Sequence, residues 1–175
     1  ETAVLRAVRT GVAQASGNMA VQGMEERDWD IVLVSAHLGA RYGDGGQNPG
    51  NHFWWQGKFY SRTGRTPDLP LFAESTGYGT GEGLCGWNCR HTFFAVFPEL
   101  GDPPTWTEES LQELNARNIE YNGKLYTQYE VNQMQRARER NVRKWKKRYL
   151  AESAAGSDTT DSAVRLKAAR QSLAE

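Results

Sequence analysis

Gly77-Tyr-Gly-Thr-Gly-Glu-Gly-Leu-Cys-Gly-Trp-Asn-Cys-Arg-His91 runs directly into Thr92-Phe-Phe-Ala-Val-Phe97, and this change of composition decides how the chain is read. Glycine at alternate positions permits positive φ angles and close backbone approach, so the first part is a loop. The aromatic and β-branched residues that follow predict a strand over Arg90–Phe97, stopped by Pro98 and by Asp102-Pro-Pro104. Two thiols, a guanidinium and an imidazole lie where the glycines stop, which marks a site of chemistry or recognition. A phosphate-cradling reading fails: no Gly-Lys-Ser/Thr ending is present, and a strand rather than a helix follows.

Outward from this segment, Trp29–Ser35 predicts a buried strand ending at His37, and Gly39–Asn51 a surface loop that delivers His52. Phe53–Tyr60 is aromatic enough for another strand, with Gly57 marking a bulge or close approach. A second loop spans Ser61–Pro70. The N-terminal pattern from Thr2 to Glu26 predicts helix with a break near Gly11 or Gly17. Thr107 caps a short helix that ends near Asn115, and Asn122-Gly123 places a hairpin within Ile119–Tyr126. Thr127–Glu152 reads as one long helix with Val131, Met134, Val142, Trp145 and Tyr149 on one stripe, interrupted by Arg138. A polar linker, Ser153–Asp161, leads to a weak helix over Ser162–Ala174. The fold class is therefore α+β: an N-terminal helix, a small mainly antiparallel sheet with long Gly-rich loops, and a long basic C-terminal helix. The segments divide as 1–28, N-terminal and helical; 29–126, the α+β core; 127–152, the basic helix; and 153–175, linker and terminal helix.

The chain of 175 residues, 38% hydrophobic and 24% charged, has a globular composition and a formal net charge of zero. That balance conceals an asymmetry: Val131–Leu150 holds eight Lys or Arg against the single acid Glu139. Two cysteines four positions apart make no secreted disulfide framework, although a strained local bridge remains open. A reducing compartment is expected. No run is long enough to cross a bilayer, so no membrane partner is expected. The opening Glu1-Thr2-Ala3, without Met or leader, reads as part of a longer protein.

Three constellations carry chemistry. Cys85, Cys89 and His91, with His52 or His37, have the donor types and spacing of a tetrahedral zinc site; the alternative is two buried apolar thiols and a hydrogen-bonded core histidine. His37, Arg41, His52, Arg90 and His91, with Lys58, are candidates for metal-independent, ribonuclease-like cleavage of a phosphodiester: imidazoles for proton transfer, guanidinium groups for the developing oxyanion. The alternative there is that His37 and Arg41 cap a strand or pair with Asp44 or Glu82. Arg136, Arg140, Arg143, Lys144, Lys146, Lys147 and Arg148, on the basic helix with Arg138, suit a nucleic acid or an acidic protein surface; the alternative is a solvated helix whose Trp145 stripe packs on the domain.

Several blocks in order carry a family resemblance: Ser35-Ala-His-Leu-Gly-Ala-Arg41, His52-Phe-Trp-Trp-Gln-Gly-Lys58, Thr76–His91, Tyr126-Thr-Gln-Tyr-Glu130 and Gln135-Arg-Ala-Arg-Glu-Arg140. Together, over Ile31–Arg148, the chain resembles the phage minor capsid protein 2 family. It is more distantly similar to Mu F-type head morphogenesis proteins, whose comparable segment ends in a Cys-Arg-Cys-like motif; His91 stands at the second Cys. The resemblance implies the C-terminal domain of a tailed-phage or prophage minor head protein. Its place would be the virion, in the capsid interior or at the portal vertex, after assembly in the host cytoplasm. The implied partners are portal and/or major capsid protein and packaged DNA, contacted without sequence preference. Appended ribonuclease toxins of helix-then-sheet architecture, known on phage head proteins, make a virion-associated nuclease the alternative, by fold analogy.

Overall fold

Residues 3–101 and 105–174 are described by a computed structural model. Its elements are α1 (Ala3–Glu26), β1 (Ile31–Val34), α2 (His52–Trp55), β2 (Phe59–Ser61), α3 (Phe72–Thr76), β3 (Phe93–Ala95), α4 (Glu108–Glu113), β4 (Ile119–Tyr121), β5 (Lys124–Tyr126), α5 (Gln128–Ala154) and α6 (Thr160–Ala174). The Asp102-Pro-Pro104 stop and Thr2 lie outside the described residues. The α+β class read from the sequence holds. The chain forms two compact units, Glu1–Ala116 and Arg117–Glu175.

In the first unit, β1 is the middle strand of an antiparallel sheet ordered β2-β1-β3. Val32, Leu33 and Val34 are all buried, which is why this segment reads as an unbroken apolar run rather than an alternating one. Val32, Val34, Trp55, Tyr60, Phe72, Leu84 and Phe93 make the core with Met24 and Cys85. Each fully buried aliphatic side chain of this kind contributes about 1.5–3 kcal/mol.

Two local readings are corrected. The N-terminal helix does not break: α1 runs through Gly11 and Gly17, and Gly17 is instead the place where Tyr78 and the Cys85 sulfur press against the helix. The absent side chain thus serves close packing. The strand expected over Phe53–Tyr60 is a helical turn, α2, followed by the short β2. Asn51 overrides the β preference of the aromatics, because its side-chain oxygen accepts from Trp54 N at 3.2 Å while the Arg41 carbonyl accepts from Phe53 N. Gly57, at φ +67, ends the turn; a Cβ there would lie 2.7 Å from Leu111. The strand expected over Arg90–Phe97 contracts to β3, and residues 90–92 before it belong to no strand.

The loop between α3 and β3 is built by backbone lying on backbone. Leu84 N donates to the Thr76 carbonyl, Trp87 N to that of Gly81, and Cys89 N to that of Gly86. A Cβ on Gly83 would lie 2.2 Å from the Gly77 oxygen. Just before β1, Asp30 accepts from the Ser61, Thr63 and Thr66 hydroxyls and from Thr63 N, fastening the loop after β2. Burial alone would raise the Asp30 pKa, but these four donors outweigh it and hold the carboxyl well below the usual range.

The second unit holds a hairpin and two helices. Asn122 and Gly123 both have positive φ, as a primed two-residue turn requires. Thr127 closes a capping box with Glu130 at the start of α5. The linker is shorter than the sequence suggests, because α5 extends to Ala154 and α6 begins at Thr160. The terminal helix folds back on α5, burying Leu166 and Ala169.

Gly83→Ala is expected to lower stability by roughly 3 kcal/mol or more, since the added carbon meets backbone that has no room to yield. Gly79→Ala, at φ +90 with open space around it, should cost about 1–2 kcal/mol of strain. Urea unfolding of both variants checks the difference. Asp30→Asn should cost about 1–3 kcal/mol at neutral pH. Because the folded pKa is depressed, the wild-type advantage is fully present above the unfolded value of about 3.9 and shrinks as pH falls below it, which unfolding across pH 2–7 would show.

Candidate functional site

Three separate segments bring the histidines together. Sheet hydrogen bonding continues one residue past β1, where Ser35 N donates to the Thr92 carbonyl and Thr92 N to the Ser35 hydroxyl. This carries His37 and His91 side by side, their rings tilted at 31° with centroids 4.2 Å apart. His52, the first residue of α2, completes the group 5.4 Å from His91, and Trp55 packs against both rings at 4.5 and 4.7 Å. Cys89 is half-buried and His91 buried, while Arg90 between them is exposed.

Hydrogen bonding dictates the protonation of each ring. Gln56 is fully buried, and its side-chain oxygen accepts from His37 N at 3.1 Å, which fixes the orientation of the amide. The same oxygen lies 3.0 Å from His91 Nε2, so Nε2 carries the proton and Nδ1 keeps its lone pair, 3.7 Å from the Cys89 sulfur. His52 Nε2 donates to the Glu82 carbonyl at 2.8 Å, leaving a lone pair on Nδ1. His37 Nδ1 donates to the Leu38 carbonyl at 3.0 Å, and its Nε2 is buried with no donor facing it. A buried acceptor left unanswered costs about 1–3 kcal/mol.

Burial holds the two inner rings neutral. It pulls the His52 pKa down to about 4, against the Glu82 hydrogen bond and with help from the charges of Arg41 and His37. It pulls His91 to about 2, with added repulsion from His37, His52 and Arg41. Burial also raises both thiols, Cys85 to about 12, while hydrogen bonds and Arg41 partly oppose the rise at Cys89. An acid/base pair needs one imidazole charged and one neutral at working pH. This pair has two neutral ones.

Arg41 ties the glycine-rich loop to the segment after β1 by donating to the carbonyls of Glu82, at 3.1 Å, and Trp87, at 2.6 Å. It pairs with neither carboxylate considered for it; Asp44 instead accepts from Gly46 N and the Asn48 side chain. His52, Cys89 and His91 each place a ligand atom within 4.8 Å of the others, whereas Cys85 is turned against Gly17 of α1. Both cysteines are free thiols. Gln56 escaped the sequence reading: a glutamine announces nothing by type, and only its place after the Trp54-Trp55 pair hinted at burial.

On α5, Arg136, Arg140, Arg143 and Lys147 recur at i, i+4, i+7 and i+11 and form one exposed row about 16 Å long. Val131, Met134, Arg138, Val142, Trp145 and Tyr149 are half-buried on the opposite face, where Arg165 of α6 lies over Trp145 at 4.9 Å and Arg138 over Tyr121 at 5.2 Å. Lys144 and Arg148 flank Trp145. The acids of the helix are occupied: Glu130 with Arg117, Glu139 with Arg143, Glu152 with Arg148. Arg136, Arg140, Lys146 and Lys147 form no ion pair among the described residues.

The family model described as phage minor capsid protein 2 matches residues 1–175, the whole chain. The chain belongs to the phage minor capsid protein 2 family. Membership makes it a phage structural protein and a component of the virion. No curated protein and no solved structure matches it. Among the described residues no helix is long and apolar enough to cross a membrane.

Gln56→Leu should destabilise the first unit by about 2–4 kcal/mol, because His37 N–H and His91 Nε2–H lose the acceptor they share. Gln112→Leu, on the exposed face of α4, should stay within about 0.5 kcal/mol. Chemical denaturation followed by Trp fluorescence separates them.

Proposed function

We propose that this phage structural protein acts in head assembly at the portal vertex or capsid interior, docking to portal or major capsid protein and touching packaged DNA through α5. The observation that carries the DNA contact is the exposed row Arg136, Arg140, Arg143 and Lys147, set opposite the half-buried Trp145 face. Spaced three and four residues apart, these four cations present one line of charge to solvent. Phosphates present a dense, regular negative charge, and a straight cationic row meets it without reading bases. Family membership over the whole chain supports a place beside other phage structural proteins.

Fluorescence anisotropy with two short duplexes of unrelated sequence, measured across a salt series, tests this reading. Equal affinity for both is expected, with log K falling against log salt at a slope of about −3.6 if all four cations meet phosphates. Arg136→Ala and Arg140→Ala should each reduce the slope by about 0.9. Arg165→Ala, on α6, should leave it unchanged. Salt-independent binding, or none, would remove DNA from the partners. Cleavage of DNA or RNA that is lost in His52→Ala would replace the structural reading with that of a phosphodiester-cleaving enzyme.

A further inference from the structure

We propose that His52, Cys89 and His91 form a transition-metal site that takes Zn²⁺ through Nδ1 of each imidazole and the Cys89 sulfur. One ring nitrogen of each histidine and the Cys89 sulfur lie within 4.8 Å of one another, and the Cys89 sulfur is 3.7 Å from His91 Nδ1. Ligand atoms around tetrahedral zinc stand about 3.3–3.7 Å apart, so closure needs side-chain shifts of about 1 Å. One sulfur and two imidazole nitrogens suit zinc and are poor ligands for magnesium or calcium, which take oxygen.

The surrounding groups have the form that a metal site requires. Both imidazoles donate the opposite nitrogen to an oxygen, His52 to the Glu82 carbonyl and His91 to the Gln56 side chain. This fixes the tautomer and leaves a lone pair on each Nδ1, as for a metal-bound histidine whose second nitrogen is held by an outer partner. Gln56 and Arg41 are positioning residues: the first sets His91, and the second holds the Glu82 carbonyl and the loop that leads to Cys89.

His37 supplies an independent observation. Its Nε2 is buried without a donor, and its ring lies 4.2 Å from that of His91. Three protein ligands leave zinc a fourth position, and His37 stands outside the group of three whose ligand atoms already converge. On binding, the Cys89 thiol loses its proton to solvent as the sulfur–zinc bond forms, while the imidazoles, already neutral, release none. Cys85 takes no part, because its sulfur faces α1.

The test uses the whole chain, stripped with a chelator and reloaded with Zn²⁺ or Co²⁺. One equivalent of zinc per chain is expected by elemental analysis, and the cobalt form should show a thiolate-to-metal charge-transfer band. Cys89→Ser should abolish that band. His52→Ala and His91→Ala should weaken zinc binding by at least about tenfold. Cys85→Ala should keep both the band and the stoichiometry, and circular dichroism establishes that each variant is folded. Folded wild-type chain that binds less than stoichiometric zinc overturns the proposal, whatever the variants do. So does a charge-transfer band that survives in Cys89→Ser or disappears in Cys85→Ala.

Discussion

The side-chain oxygen of Gln56 accepts two buried hydrogen bonds, and the arrangement of the first unit depends on it. It joins the segment that leaves β1, through His37 N, to the segment that enters β3, through His91 Nε2, and Gln56 itself caps α2 by donating its N–H to the His52 carbonyl. Buried N–H groups must find acceptors, so these three segments are held in one geometry rather than several. The Glu82 carbonyl plays a comparable part for the glycine-rich loop by accepting from both Arg41 and His52. The loop is thus fixed from outside by side chains and from inside by its own backbone, and it needs no ladder pairing to be well defined.

The two units deploy charge in opposite ways. In the first, burial keeps His52 and His91 uncharged and their lone pairs in place, a state suited to holding something rather than to passing protons. In the second, α5 keeps its charge in water: its acids are used up in caps and i,i+4 pairs, and Arg136, Arg140 and Lys147 stay exposed along one face.

Elements whose cause is local were legible in the sequence. The β1 run, the Asn122-Gly123 turn, the Thr127 capping box and the length of α5 each follow from a few neighbouring residues. Two features were misjudged, the first through a local cap joined by a carbonyl farther back in the chain, the second through a distant contact. Asn51 and the Arg41 carbonyl turned the aromatic run after His52 into helix, and Tyr78 made Gly17 a docking point instead of a break. Of the residues singled out for chemistry, the structure gathers His37, His52, Cys89 and His91, leaves Arg90 in solvent and sends Cys85 to α1.

By itself the sequence determined the inventory: which residues carry lone pairs and charge, which segment must turn tightly, which helix is basic and carries an apolar stripe. These are consequences of composition and period, and they survive any choice of packing. Only the tertiary structure decided which nitrogen of each histidine keeps its proton, which of two cysteines joins them, and that Gln56 stands at their centre. Those outcomes depend on hydrogen bonds between positions that lie up to 35 residues apart, as Gln56 and His91 do, and no local pattern encodes a partner at that distance.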